Sequence, residues 1–229
     1  MNNGHLLVAY HGCDVTVRDA LVKGTLAHLD ESKNRYDWLG PGVYFFEGDA
    51  QRALRFAQAS RDNPAKVYTA RPIATASVVG AILRVHTWLD MTTQDGLTEF
   101  SAAYDLMLRS MESEDVPPPT NEAASPDDTD ILLRHLDKSV FNYIHQVRHE
   151  HNAPPYQAVR AAFRQGKELA PRSGFHEGTH LQLALRDPSC VVGWFLPSGQ
   201  RLYTDHRLKL AEGRLKRAAK DRKLRIQAG

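Results

Sequence analysis

The chain has 229 residues, a formal net charge of +2, and 42% hydrophobic and 24% charged residues, proportions that exclude wholesale disorder and a fibrous architecture. Its two cysteines, Cys13 and Cys190, are too few for a disulfide framework or a tetrahedral zinc site of their own, so reduced thiols are expected. No apolar run reaches the roughly 18 to 20 residues of a bilayer helix, and the start MNNGHLLVAYHG lacks the basic region and apolar core of a signal peptide, which predicts a cytoplasmic protein without membrane contact.

The length suits a single domain over residues 1–229. LLVAYHG joins apolar and β-branched residues to a glycine, and predicts a short buried strand that delivers His11 to a loop. Thr16 to Lys23 has helical spacing, with Thr16 as N-cap and Gly24 as stop. After a surface loop, Gly40, Pro41 and Gly42 break the chain before a strand from Val43 to Phe46 and a helix from Asp49 to Ala57.

The Val- and Ile-rich stretch up to Leu89 predicts a strand or strand pair ended by Asp90, and Gly96 to Arg109 a helix. From Glu112 to Asp130 there are seven acidic residues and no basic one, which, with the prolines, predicts a mobile acidic insertion over about 111–130. Ile131 to Val147 is spaced as a helix with Asp130 as N-cap. YQAVRAAF fits a strand or a short helix, and GKELAPRSGFHEG a loop. THLQLAL and VVGWFLP are the last strands, the first carrying Thr179, Leu181, Leu183 and Leu185 on one face and His180 and Gln182 on the other.

The tail is basic, with nine Lys/Arg against Glu212 and Asp221 between Arg207 and Arg225, and leucines at Leu208, Leu215 and Leu224 that fit one apolar stripe of a helix over about 205–226. It reads either as a solvated helix packing on the body or as a contact surface for a phosphate backbone.

Two segments put polar or aromatic groups where strands end. His11-Gly12 offers a ring that donates or accepts and a glycine whose backbone N–H and C=O can pair with a flat amide. Gly40-Pro41-Gly42-Val43-Tyr44-Phe45, with Phe56 one helix later, can set two rings around a planar heteroaromatic group. Each segment taken singly fits ordinary packing. His135, His145, His149 and His151 lack paired cysteines or carboxylates at ligand spacing, so they read as surface histidines and no metal is expected. Arg160 could hold a pyrophosphate, but an arginine in a short strand more often pairs with a carboxylate. No glycine-rich phosphate loop is present.

Together, His11, Gly12, Gly40, Gly42, Val43, Tyr44, Phe45 and Glu47, with Ala53 and Phe56 following, resemble the diphtheria-toxin-type ADP-ribosyltransferases, above all the poly(ADP-ribose) polymerase branch. The chain looks closer still to a bacterial toxin or phage-defence-like group that combines YHG, DWLGxGxYFFE and THIQIAVRNP-like motifs. The second aromatic is Phe rather than Tyr and stands one residue out of step.

The resemblance implies an α+β fold of two packed, mostly antiparallel sheets with NAD⁺ in the cleft between them. It also implies mono-ADP-ribosyl transfer to a protein or nucleic acid, with an antitoxin or immunity partner allowed. His11 would then hold the nicotinamide ribose, the Gly12 backbone would clamp the carboxamide, Tyr44 and Phe56 would sandwich the ring, and Gly42 and His180 would also belong to the NAD⁺ site. The third residue, an acid in the family, is left among Gln182, Glu177 and His180; a Gln there would imply single transfers, because elongation in the family leans on a Glu at that point. Hydrolysis of NAD⁺ by water, or NAD⁺ or ADP-ribose binding without turnover, are the competing readings.

Overall fold

The apolar, β-branched segments become strands of a single sheet. They are β1 (His5–Asp14), β2 (Val43–Glu47), β3 (Ala76–Val85), β4 (Trp88–Asp90), β7 (Ala158–Phe163), β8 (His180–Leu185) and β9 (Val191–Phe195), arranged in the order β4-β7-β8-β2-β1-β3-β9. Neighbours run antiparallel except β4 and β7, so the sheet is mixed. A two-stranded ribbon, β5 (Asn121–Glu122) with β6 (Leu133–Arg134), lies apart from it. The computed structural model describes residues 4–65, 72–123, 130–197 and 205–221. They fall into two units, Met1–Pro197 and Ser198–Gly229, and of the second the described part is helix α5 (Asp205–Asp221).

The first unit is α+β. In place of two packed sheets, the described residues form one seven-stranded sheet beside the small β5/β6 ribbon, and the two halves of the large sheet are joined narrowly. β1 pairs with β3 along all ten residues, yet with β2 only at Ala9↔Glu47 and Tyr10↔Phe46. Beyond Tyr10 the two central strands part. β1 itself does not stop at His11: pairing with β3 carries it to Asp14, so His11 sits within a strand, opposite Val79.

Helix α1 (Val15–Val22) is capped by Asp14, which accepts from the Thr16 N–H, rather than by Thr16. Asp49 caps α2 (Ala50–Asp62) and Thr93 caps α3 (Gln94–Ser113). The helix expected from Ile131 starts later, as α4 (His135–Glu150), because Leu133 and Arg134 pair with β5 and the Asn121 side chain accepts from the Leu136 and Asp137 N–H groups. Asp130 is no cap; its carboxylate accepts from the Gly166 N–H at 3.0 Å. Six residues of the expected acidic insertion, and the tail beyond Asp221, lie outside the described residues.

One face of the sheet is covered by α3 and α4, through Met107, Val140, Phe141 and Ile144 against Leu89, Val159 and Ala184. On the β1/β2 part of the same face, α2 packs its small residues Ala50 and Ala53 onto Tyr10, Phe46 and Val78. The other face carries Phe45, Leu83, Val85, Leu183 and Leu185, with Leu21 of α1 against Cys13 and Val79. Cys13 and Cys190 are buried, unpaired thiols. Among the described residues no helix is long and apolar enough to cross a membrane.

Candidate active site

At the parting of β1 and β2 lies a cleft of about 890 Å³, within the size range of small-molecule sites. Strand alternation puts His11 with Phe45 on one face of the sheet and Tyr44, Phe46 and Gln182 on the other. The cleft is lined from both faces, by Cys13, Val17 and Leu29 as well as by Tyr44 and Gln182. It therefore passes through the sheet where the two strands diverge.

At this point His11 Nδ1 lies 2.8 Å from the carbonyl oxygen of Tyr44. A carbonyl only accepts, so Nδ1 carries the proton and Nε2 is left as an acceptor. Burial lowers the imidazole pKa, opposed by that hydrogen bond, and the ring is neutral near pH 7.

Gly12 follows. In an antiparallel sheet alternate residues direct both backbone groups to the same neighbour. Val8 uses its carbonyl toward β2, accepting from Gly48 N–H at 3.0 Å, so Tyr10 and Gly12 point the same way. The ladder ends at Tyr10↔Phe46, which turns the N–H and C=O of Gly12 toward the opening. A side chain at Gly12 would run into the carbonyl oxygen of Ala53, so only glycine lets α2 approach this closely.

Tyr44, Phe56, Gln182 and His180 all line the cleft with His11 and Gly12. The Tyr44 hydroxyl donates to the Gly40 carbonyl at 2.9 Å and accepts from the Leu39 N–H at 2.8 Å, clasping the turn before β2. Phe56 stands edge-on to Tyr36 with ring centres 5.8 Å apart and tilted against Phe46. Tyr44 and Phe56 line one cavity from different elements, β2 and α2.

Gln182 is oriented by Trp38, whose indole N–H donates to Oε1 at 2.5 Å. The amide NH₂ remains available as a donor. His180 donates from Nδ1 to the Gly178 carbonyl at 2.5 Å, while its Nε2 is buried without a partner between the rings of Phe46 and Phe163. Burial pushes this imidazole down to about 4. Its second nitrogen is sealed by packing, which leaves Gln182 as the more open of the two.

Two site residues expected from sequence stand elsewhere. Glu177 is exposed in the loop before β8, with its N–H bonded to the Lys167 carbonyl, and does not line the cleft. Gly42 lines a smaller cavity of about 190 Å³ with His28, Glu31, Arg186 and Trp194. A Cβ at Gly42 would lie 2.8 Å from the Leu185 carbonyl oxygen, so this glycine serves the close approach of β2 to β8.

The structure adds groups to the cleft. Arg52, in the first turn of α2, reaches Gln165 Oε1, lies over the Phe46 ring at 5.2 Å and, among the described residues, has no carboxylate within ion-pair distance. Burial lowers its pKa, with Asp49 and Asp130 opposing from further away. Asp37, 2% exposed, accepts from Ser32 Oγ at 2.9 Å and from the Asn34 N–H at 2.6 Å; burial raises its carboxyl to about 6 against those bonds. Arg52 is one helical turn before Phe56, so the spacing that singled out Phe56 carried this residue as well. Asp37 sits in an irregular loop that gives no periodic signal.

Arg160 is held by Glu47 at 2.6 Å and Asp90 at 3.0 Å, and lies away from the cleft. His145 is not a surface histidine: both ring nitrogens are buried without a partner, and burial, helped by Arg186 and Arg148, pushes its pKa down to about 3. Among the described residues no three His, Cys, Asp or Glu side chains are grouped as a metal site would need.

No protein-family model matches the chain, and no curated protein or solved structure is significantly similar to it. The structure defines an α+β protein with a cleft at a split in its sheet.

Proposed function

We propose that the chain transfers a single ADP-ribosyl unit from NAD⁺ to a macromolecular acceptor. The observation that carries this reading is the His11 Nδ1 to Tyr44 carbonyl bond at the parting of β1 and β2, with Gly12 beside it facing the cleft. This places a hydroxyl acceptor, His11 Nε2, next to a backbone donor–acceptor pair suited to a carboxamide. These donors and acceptors match three parts of the substrate: the flat amide, the nicotinamide ribose and the diphosphate.

In this reading Gly12 pairs with the nicotinamide carboxamide and Tyr44 and Phe56 bound its ring. His11 Nε2 accepts from a ribose hydroxyl, Gln182 donates to the same sugar, and Arg52 faces the phosphates. The bond between ribose C1′ and the nicotinamide nitrogen breaks with its electron pair leaving on nicotinamide. The cation-like ribose is then attacked at C1′ by an acceptor nucleophile, which loses its proton. Positioning and electrostatic stabilisation supply most of the rate in such a step. Gln182 cannot take a proton, which favours one transfer over chain growth.

The test incubates purified protein with NAD⁺ labelled on the adenylate phosphate, together with total protein, RNA or DNA in separate tubes, and with His11→Ala as control. Label on one acceptor, lost in the variant, supports transfer. Free ADP-ribose alone makes the chain an NAD⁺ glycohydrolase, and an absence of turnover in every tube removes the enzymatic reading.

A further inference from the structure

The charge of the chain is divided between its two units. Ser198–Gly229 holds ten Lys/Arg against three Asp/Glu, a net +7, whereas Met1–Pro197 holds 19 against 24, a net −5. A small total of +2 conceals this separation. A polyanion is repelled by the first unit and attracted by the second.

Within α5, Lys209, Lys216 and Arg217 fall at i, i+7 and i+8, and so share a face, with Arg214 beside Arg217 at i, i+3. All four are exposed. Lys216 pairs with Glu212 at 2.6 Å, while Lys209, Arg214 and Arg217 have no carboxylate within ion-pair distance among the described residues. By sequence the helix holds six Lys/Arg against three Asp/Glu, so its acids are too few to neutralise its cations. Among its described side chains the large exposed apolar ones are Leu210 and Leu215, and the sequence has no Phe, Trp or Tyr from Asp205 to Asp221. Helices that lie in a membrane surface bury a broad apolar face, commonly with Trp or Phe; three leucines with no Trp or Phe make a poor one. A polyanion with regularly spaced charges is the better fit.

We propose that the C-terminal unit is a docking arm for nucleic acid, contacting the phosphate backbone without reading sequence. This inference goes beyond the transferase reading and does not depend on it. If both hold, nucleic acid is the acceptor class, brought by the arm to a unit that would otherwise repel it.

The test measures fluorescence anisotropy of a short fluorescein-labelled DNA duplex titrated with the full chain, without NAD⁺, between about 50 and 200 mM salt. Phosphatidylserine vesicles are titrated in parallel. Binding is expected to weaken steeply with salt. The variant Lys209→Gln/Arg214→Gln/Lys216→Gln/Arg217→Gln is expected to bind at least tenfold more weakly, with a salt slope shallower by about three, at the same melting temperature and far-UV spectrum. Binding that ignores salt, survives the variant, or prefers vesicles overturns the proposal, as does no binding at low salt. Because NAD⁺ is absent, failure here leaves the transferase reading standing, and the reverse also holds.

Discussion

His11 Nδ1 and the carbonyl oxygen of Tyr44 are 2.8 Å apart although 33 positions separate the residues in the chain. The bond replaces the ladder that β1 and β2 would otherwise have continued, since their pairing ends at Tyr10↔Phe46. One hydrogen bond thus fixes the imidazole tautomer and marks the split that opens the cleft. The backbone of Tyr44 serves the site at least as directly as its ring does.

The Tyr44 side chain has two duties that substitutions separate. Tyr44→Phe keeps the ring but loses the bonds to Leu39 N–H and the Gly40 carbonyl, so it is expected to destabilise the fold by about 1 to 3 kcal/mol while leaving the NAD⁺ KM nearly unchanged. Tyr44→Ala removes the ring too and is expected to lose on the order of 1 to 3 kcal/mol in NAD⁺ binding or turnover. Thermal melts and steady-state kinetics on both variants check this. Unchanged kinetics in a folded Tyr44→Ala would place the nicotinamide elsewhere.

Arg52 lines the cleft with no carboxylate partner among the described residues, an arrangement a desolvated guanidinium tolerates best when an anion completes it. Arg52→Gln is expected to raise the NAD⁺ KM by about ten- to a hundredfold, the loss of a charged hydrogen bond of roughly 1.5 to 3 kcal/mol. Inhibition by nicotinamide, which has no phosphate, should stay the same. A parallel loss of nicotinamide affinity would show that Arg52 shapes the cleft rather than meeting an anion.

What was legible in the sequence is uneven, for physical reasons. His11, Gly12, Tyr44, Phe56, Gln182 and His180 all line one cleft; strand alternation and the glycine turn are local patterns that mark them, although His11, expected in a loop, lies within β1. Arg52 followed the same helical spacing but was passed over beside a more conspicuous aromatic. Arg160 did find the carboxylates expected of a strand arginine, Glu47 and Asp90. Glu177 looked apt by chemistry, yet its position depended on how the loop before β8 folds, which no periodicity encodes. The single sheet in place of two rests on two residue pairs between β1 and β2, and such long-range pairing has no local signature. His145 differs for a related reason: nothing local to α4 shows that the distant Gly40 turn and Arg186 come near its ring.

Gly12 carries a steric prediction. A methyl group there would strike the Ala53 carbonyl oxygen, and backbone inside a packed helix moves away at a cost of about 1 to 3 kcal/mol. Gly12→Ala is therefore expected to lower the melting temperature, and to reduce NAD⁺ turnover further than the fraction unfolded explains, since α2 also carries Arg52 and Phe56. A variant as stable and as active as the parent would show that α2 does not pack as described.

Acid should destabilise this fold in a defined window. The pKa values of His145 and His180 are lowered in the folded state to about 3 and about 4, whereas in the unfolded chain each charges near 6.5. Both contributions are intact above pH 6.5 and are lost as pH falls toward those folded values, each at up to about 1.4 kcal/mol per pH unit. Asp37 acts in the opposite sense. Its carboxyl is raised to about 6, so its burial opposes folding most above that pH and is relieved as pH falls toward the ordinary carboxylate value. Among these three groups, two histidines outweigh one aspartate, and urea midpoints should fall between pH 6.5 and 4. His145→Leu tests the assignment, because it removes two buried nitrogens that have no partner. It is expected to stabilise the protein more at pH 5 than at pH 7, by up to about 2 kcal/mol. An equal effect at both pH values would show that His145 does not carry the acid sensitivity.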